Sequence, residues 1–365
     1  MENILQILSS LQDKYDALEK KVDIILQENQ ELKKEIEILK NSSQETTTKP
    51  NQLISIKKVN KHLKKYNLHE QNVSCICNLS QNRIGTASID GSISISVLDC
   101  SLYKFVQDVK KTKAHDGKIN CLCMLDENRL ISCSDDTTIK VWDMSSLKKL
   151  PLIMTIKGHI GQVEQVIQLT NNRFASCSYN DGTVKLWNSN TYTNIPVPFE
   201  TLDYSPCSML QLKKEKETLA ICCGSLLFYN LSSPFNLKGE ITGIFTQQNM
   251  IELSHGHLAV PVIGAIYVID PVKYTKVCEI KDNEHIPVFC GSLCELTDNS
   301  FMYVCEGSLC QVVYENEEYK INYSTKDNKN ELSHSSGIVP VNNGSYFLVG
   351  TKNNKHGVNV YKIDY

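Results

Sequence analysis

The chain has 365 residues, 41% of them apolar, and a formal net charge of −3. That length holds one large domain or two ordinary ones, and the near-balanced charge excludes a global field that would attract nucleic acid or an anionic membrane. Fifteen cysteines occur with no secretory signal ahead of them, which predicts free thiols in a reducing compartment, cytoplasmic or nuclear.

The first element is a helix. Ile4, Leu8, Leu11, Tyr15, Leu18, Val22, Ile25, Asn29, Leu32, Ile36 and Leu39 follow one another at alternating spacings of four and three. On a helix this places one apolar seam along a single side, and such a seam needs a partner helix. Leu8, Tyr15, Val22, Asn29 and Ile36 fall at a; Leu11, Leu18, Ile25, Leu32 and Leu39 fall at d. Leucine at most d positions, with one Asn in the seam, predicts a parallel homodimer through residues 4–39, in which Asn29 meets its own copy. Apolar residues off the seam (Leu5, Ile7, Ile24, Leu26, Ile38) leave room for a third helix or a different partner. Residues 1–40 are therefore assigned to a coiled coil. The polar stretch 41–51, with Pro50 and no apolar period, is a flexible linker.

From residue 52 onward, short β-branched and aromatic runs alternate with turn residues. Three segments are self-similar: VSCICNLSQNRIGTASIDGSISIS from Val73, INCLCMLDENRLISCSDDTTIKVW from Ile119, and VEQVIQLTNNRFASCSYNDGTVKLW from Val163. A His precedes each segment, and a hydroxyl residue follows that His by 17 residues every time: His69 and Thr86, His115 and Ser132, His159 and Ser176. An Asp follows in each (Asp90, Asp136, Asp181), and then Trp142 and Trp187 in the second and third; Ser96 stands at the Trp position of the first.

These segments resemble WD40 repeats. The resemblance implies a four-stranded blade (strands a to d, inside to outside) whose His, hydroxyl, Asp and Trp form a buried structural tetrad. The hydrogen-bonded chain of such a tetrad runs from indole to imidazole to carboxylate. Recurrence of the set at the blade period makes a catalytic triad a poor reading of it. The fold class expected is all-β, a seven-bladed WD40 propeller over residues 52–365 preceded by an α-helical coiled coil.

Beyond the third repeat the tetrad is lost, and the strand-c position is followed as Tyr229, Ile269, Val313 and Tyr361, spaced 40 to 48 residues apart, near the blade period. Six blades remain an alternative to seven. The chain stops just after the last strand c, and Leu53–Val59 alternates like a strand, so it is the expected closing strand of the last blade.

Three further features are weighed for chemistry. Cys75 with Cys77 and Cys121 with Cys123 form C-x-C pairs at one repeat position, and Cys290, Cys294, Cys305 and Cys310 share a repeat. The spacing is wrong for zinc and no His clusters with them, so no metal and no cofactor are expected. All three arginines of the chain, Arg83, Arg129 and Arg173, occupy one turn position on the rim opposite the His loops. They are read as turn residues, with a functional ring on that rim as the alternative. The longest apolar run, Leu258–Ile269, has 12 residues and is broken by Pro261 and Gly264, too short to span a bilayer.

The function expected is a non-enzymatic scaffold that presents a propeller face to protein or peptide partners, doubled by the coiled coil. Neither nucleic acid nor membrane is expected as a partner. Contact candidates flank the framework on the His-bearing face: Gln71, Ile89, Asp116, Lys118, Asp135, Ile160, Gln162 and Asn180. Alternatives are a G-protein β-like subunit that pairs its helix with a small partner, a ubiquitin-ligase substrate receptor, and an enzyme using the central channel. The receptor reading is weakened because Met144 and Ser145 follow Trp142-Asp143, so a WD-x-R signature is absent.

Overall fold

A computed structural model describes residues 58–364 apart from 62–65, 80–82, 100–103, 146–148, 200–201, 203, 247, 282–289, 298, 306–307, 327–334, 342–345 and 352–356. The chain divides into two units, Met1–Ile54 and Ser55–Tyr365. The heptads and linker lie outside the described residues, and every described strand belongs to the second unit.

Among the described residues there is no helix, and the strands form seven antiparallel sheets. Six are consecutive in sequence, with their four strands in order. Blade 1 spans Val73–Lys111, blade 2 Ile119–Ile156, blade 3 Val163–Ile195, blade 4 Ser208–Ile244, blade 5 Ile251–Ile280 and blade 6 Cys290–Lys326. Blade 7 takes its three inner strands from Ser335–Val341, Tyr346–Thr351 and Gly357–Asp364, and its fourth from the other end of the chain. That fourth strand, Lys58–Lys61, pairs antiparallel with Gly357–Asp364, from Lys58 opposite Asp364 to Lys61 opposite Tyr361. Of the expected closing strand, residues 53–57 lie outside the described residues, and the paired segment runs two residues beyond Val59.

A single sheet has two faces to cover, and a ring of sheets covers each with the next. Seven apolar clusters occupy the seven seams. Trp142 and Leu130 of blade 2 pack on Ala87 and Ile93 of blade 1, and Phe174 and Trp187 of blade 3 pack on Ile131 and Val141 of blade 2. The last cluster joins Val339, Leu348 and Val360 of blade 7 to Ile76 and Ile84 of blade 1. A seam between the last and first blades means that the ring is closed.

The seven strand-c positions followed in the sequence all lie on third strands, and six of them share one face. The exception is Val313. In blade 6 a register shift falls between Gln311 and Val312; Val312 pairs with Phe301 and packs with it toward blade 5. Neighbouring residues of a strand face opposite ways, so Val312, not Val313, is the counterpart of Trp142.

Candidate functional site

The His loops, the b–c turns and the start of every strand a lie on one rim, the top. In blade 2, Trp142 Nε1 donates to Ser132 Oγ (2.8 Å), Ser132 Oγ lies 2.7 Å from His115 Nε2, and His115 Nδ1 lies 2.8 Å from Asp136 Oδ2. An indole N–H can only donate. The serine therefore accepts from Trp142 and gives its own proton to Nε2, which leaves the Nδ1 proton to donate to Asp136. The hydroxyl is thus the centre of the chain, interposed between indole and imidazole. Blade 3 repeats the arrangement with Trp187, Ser176, His159 and Asp181 at 2.8, 2.7 and 3.0 Å.

Each carboxylate also holds the top loops. Asp136 accepts from the backbone of Asp116 and Thr138, and Asp181 from the backbone of Ile160, Gly161 and Thr183. Burial alone would raise both acids, but hydrogen bonds from the threonine and histidine outweigh it. Asp136 is held well below the usual carboxylate range, and Asp181 falls to about 2. Burial pushes His115 the other way, below its ordinary value, and keeps the imidazole neutral.

Blade 1 departs from the expected tetrad. His69 Nε2 lies 2.8 Å from Thr86 Oγ1, but its Nδ1 meets Ser92 Oγ at 2.6 Å and not Asp90. Ser92 occupies the place of Thr138 and stands between imidazole and carboxylate. Asp90 is left to cap the backbone of Glu70, Gln71 and Ser92. With less help from a carboxylate, burial drives His69 down to about 4. The missing indole is compensated one residue before the His. Gly158 precedes His159, and a Cβ there would lie 2.6 Å from the Trp187 ring. Ala114 precedes His115, and Leu68 precedes His69, where it packs with Ile84, the strand partner of Ser96.

The top rim has a second recurring device. Strand a of blades 1, 2 and 3 starts with a register shift, between Val73 and Cys75, Ile119 and Cys121, and Val163 and Gln165. The extra residue of such a bulge is turned out of the ladder. Ser74 donates its hydroxyl to Ile119 O of the next blade, and Asn120 donates its amide to Val163 O at 3.0 Å. Glu164, the third bulge residue, cannot donate as a carboxylate and has no hydrogen-bond or ion-pair partner among the described residues.

Arg129 and Arg173 lie on the opposite, bottom rim and bind the next blade. Arg129 Nη1 donates to Ser189 O (2.6 Å) and Tyr192 Oη (2.8 Å), while its other nitrogens meet Asp126. Arg173 Nη1 donates to Leu231 O at 2.5 Å. His257 takes the same part in blade 5, its Nδ1 lying 2.8 Å from Tyr319 Oη of blade 6. These residues join blades, a role that their turn positions alone did not reveal.

The cysteines do not gather into a ligand set. Cys310 faces the seam to blade 5 and Cys294 the seam to blade 7, and the side chains of Cys290 and Cys305 lie outside the described residues. Burial pushes the Cys123 thiol up to about 12. Among the described residues, no group of three or more His, Cys, Asp or Glu could hold a metal ion. No helix there is long and apolar enough to cross a membrane.

Of the contact candidates, Gln71, Ile89, Asp116, Ile160 and Asn180 are exposed, and Lys118, Asp135 and Gln162 are half-buried. Asp135 is engaged by Asn120 Nδ2 at 2.7 Å. These eight lie on the top loops of blades 1 to 3. Sequence reasoning missed the next sector, where Tyr204 (63% exposed), Phe245 (61%) and Ile263 (76%) stand on the top loops of blades 4 and 5. Their loops lack the tetrad motif that marked the earlier ones.

The family model for the WD domain, G-beta repeat, matches residues 107–143 and 150–188, which cover most of blade 2 and all of blade 3 except its outer strand, Asn194–Ile195. The crystal structure of the WD40 beta propeller domain of Doa1 superposes with a TM-score of 0.65 at 16% sequence identity, covering 84% of this chain and 96% of that one. At that identity the likeness is one of fold. No curated protein sequence matches the chain.

Proposed function

We propose that this chain, a seven-bladed β-propeller carrying WD40 repeats, is a non-enzymatic scaffold that binds protein or peptide partners through its top rim. The observation that carries the proposal is the placement of large apolar side chains in water. Of the 13 large apolar side chains exposed among the described residues, six (Ile89, Ile160, Tyr179, Tyr204, Phe245 and Ile263) lie on top loops. Of the rest, only Val272 lies off the outer strands. Apolar groups clustered on one rim mark an interaction surface, and aromatic side chains are characteristic anchors at such surfaces.

The Ser, His and Asp side chains of blades 2 and 3 support a non-catalytic reading. Both ring nitrogens of His115 and His159 are engaged, and each serine already accepts from an indole. That leaves neither a free base nor an activated hydroxyl. The N-terminal heptads double the rim by forming a parallel homodimer, and two linked rims raise avidity without new contacts. The compartment is cytoplasmic or nuclear, in keeping with the 12 free thiols described.

Two measurements test this. Light scattering should give a dimer for the full chain and a monomer for residues 52–365; a full-length monomer at micromolar concentration removes the doubling. Cross-linking of the full chain in its own cells should recover partners that Asp116→Ala with Ile160→Ser loses. Recovery that is unaffected by these top-rim changes overturns the assignment of the face.

A further inference from the structure

Glu164 is the anomaly of the top rim. At the two preceding bulges the extra residue is a neutral donor that reaches a carbonyl of the next blade. A carboxylate at the third forfeits that bond and puts a half-buried acid at the seam between blades 3 and 4. Its surroundings are rich in acceptors. Asn120, whose amide reaches the residue just before Glu164, has its Oδ1 buried without a donor among the described residues. Burial raises the Glu164 carboxyl above its usual range; Lys118 opposes this without forming an ion pair among the described residues, and Asp135 adds to it. Among the described residues no cation is in contact with the Glu164 carboxylate.

An apolar seat lies on the next blade. The Glu164 charge acts on Cys207, whose backbone N–H donates to Cys222 O of blade 4 at 3.0 Å, beside Cys223. The next residue, Gly224, has a φ of +87°, and a Cβ built on it would lie 3.1 Å from the Phe245 ring and 3.3 Å from Tyr204. The two exposed aromatic side chains therefore converge over a residue that has no side chain, a shallow seat floored by glycine. Ile160 and Tyr179, also exposed, stand on the loops of blade 3.

We propose that the top rim over blades 3 to 5 binds a protein segment with a lysine or arginine beside an aromatic or aliphatic residue, the cation meeting Glu164 and the apolar side chain seated on Tyr204 and Phe245. This rests on the reading of the top rim as the binding face and names the partner's chemistry. A cation at Glu164 supplies the donor that Glu164 lacks, and its apolar neighbour covers two aromatic side chains now in water. Charge complementarity of this kind sets specificity and orientation at an interface.

The test uses the full-length protein and arrayed nonapeptides with a central Lys or Arg and Phe or Leu two residues away, beside matched arrays with Glu or Gln at the centre. The best member is then measured by fluorescence anisotropy. Expected is binding confined to the basic arrays, weakened at least tenfold by Glu164→Gln and by Phe245→Ala, and unchanged by Val272→Ser on the bottom rim. Glu164→Gln should at the same time raise the melting temperature, because an amide can donate across the seam as Asn120 does. That gain keeps loss of binding distinct from loss of fold. Equal binding of the acidic arrays, no binding to any array, or indifference to both Glu164→Gln and Phe245→Ala overturns the proposal. If it fails while Asp116→Ala with Ile160→Ser still abolishes partner recovery in cells, the top-rim reading survives and only the partner chemistry is wrong. If both fail, the face itself is wrong.

Discussion

In blades 2 and 3 the middle of strand b is a serine that links an indole to an imidazole. In blades 4, 5 and 7 the same register position holds Ile221, Val260 and Val349, each buried in the seam to the preceding blade. The strand-c partners change with it, from Trp142 and Trp187 to Tyr229, Ile269 and Tyr361. The surrounding strands pair in the same way in both sectors. A hydrogen-bonded polar network and a mainly apolar plug are thus alternative solutions to one packing problem. Blade 1 combines the two, keeping His69 bonded to Thr86 and Ser92 beside an apolar Leu68; a buried polar group that loses its partners carries its full desolvation cost.

The comparison is broken most severely by putting the wrong chemistry into the apolar sector. Ile221→Ser leaves a cavity and a hydroxyl with no His or Trp to meet, and should lose about 3–5 kcal/mol in denaturant unfolding. A loss under about 1 kcal/mol would mean that the blade 4 seam is loosely packed. Next comes removal of one tetrad member. Asp136→Ala should cost about 1–3 kcal/mol, and Asp181→Ala a similar amount, with no catalytic activity lost. Replacing His115, Ser132 and Asp136 by apolar residues together with Trp142→Phe should cost less than the sum of the four single changes, since the seam then approaches the apolar packing of blade 4. Strict additivity would contradict the view of the two seams as alternative solutions.

The comparison extends to blade 1 through a pH dependence. His69 has a folded pKa of about 4, below the ordinary ~6.5. Between those values the unfolded chain binds a proton that the folded one refuses, so stability is complete above pH ~6.5 and falls as the pH drops toward 4. Further acidification draws on Asp90 and Asp181, both held near 2; their contribution is present above pH ~4 and is lost as the pH falls through 2. Melting temperature against pH should therefore slope between 6.5 and 4, and His69→Gln should flatten part of that slope. An unchanged slope would assign it to other histidines.

The legibility of these features in the sequence follows the same division. Repeated polar residues at fixed spacing stand out because few residue types can replace them, so His115, Ser132, Asp136 and Trp142 announce their blade. Apolar plugs are chemically degenerate. In blade 6 two adjacent valines leave the facing residue undetermined, and the register shift that selects Val312 is not visible in the residue order. Arg129 and Arg173 bind backbone carbonyls some 60 residues away, and a carbonyl leaves no mark on a sequence. Glu164 looks ordinary until the bulge aligns it with Ser74 and Asn120. Tyr204 and Phe245 lie in loops with no motif to flank, so the acid and its apolar seat came to share a rim only once the blades were assembled.

The pairing of Lys58 with Asp364 also bears on how the protein is made. Synthesis runs from the N-terminus, so this strand emerges about 300 residues before its partner exists, a contact order near the maximum the chain allows. Throughout that interval the nascent propeller has an unpaired edge on its newest blade, and its first strand has no ladder to join. Edges of that kind recruit strands from other molecules. The segment that waits is KVNK, with a lysine at each end, a composition that discourages pairing between copies while leaving the backbone free to dock late. Val339 and Leu348 of blade 7 can pack on blade 1 as soon as their strands exist, but the outer edge of blade 7 is covered only when Gly357–Asp364 has formed and Lys58–Lys61 returns to it.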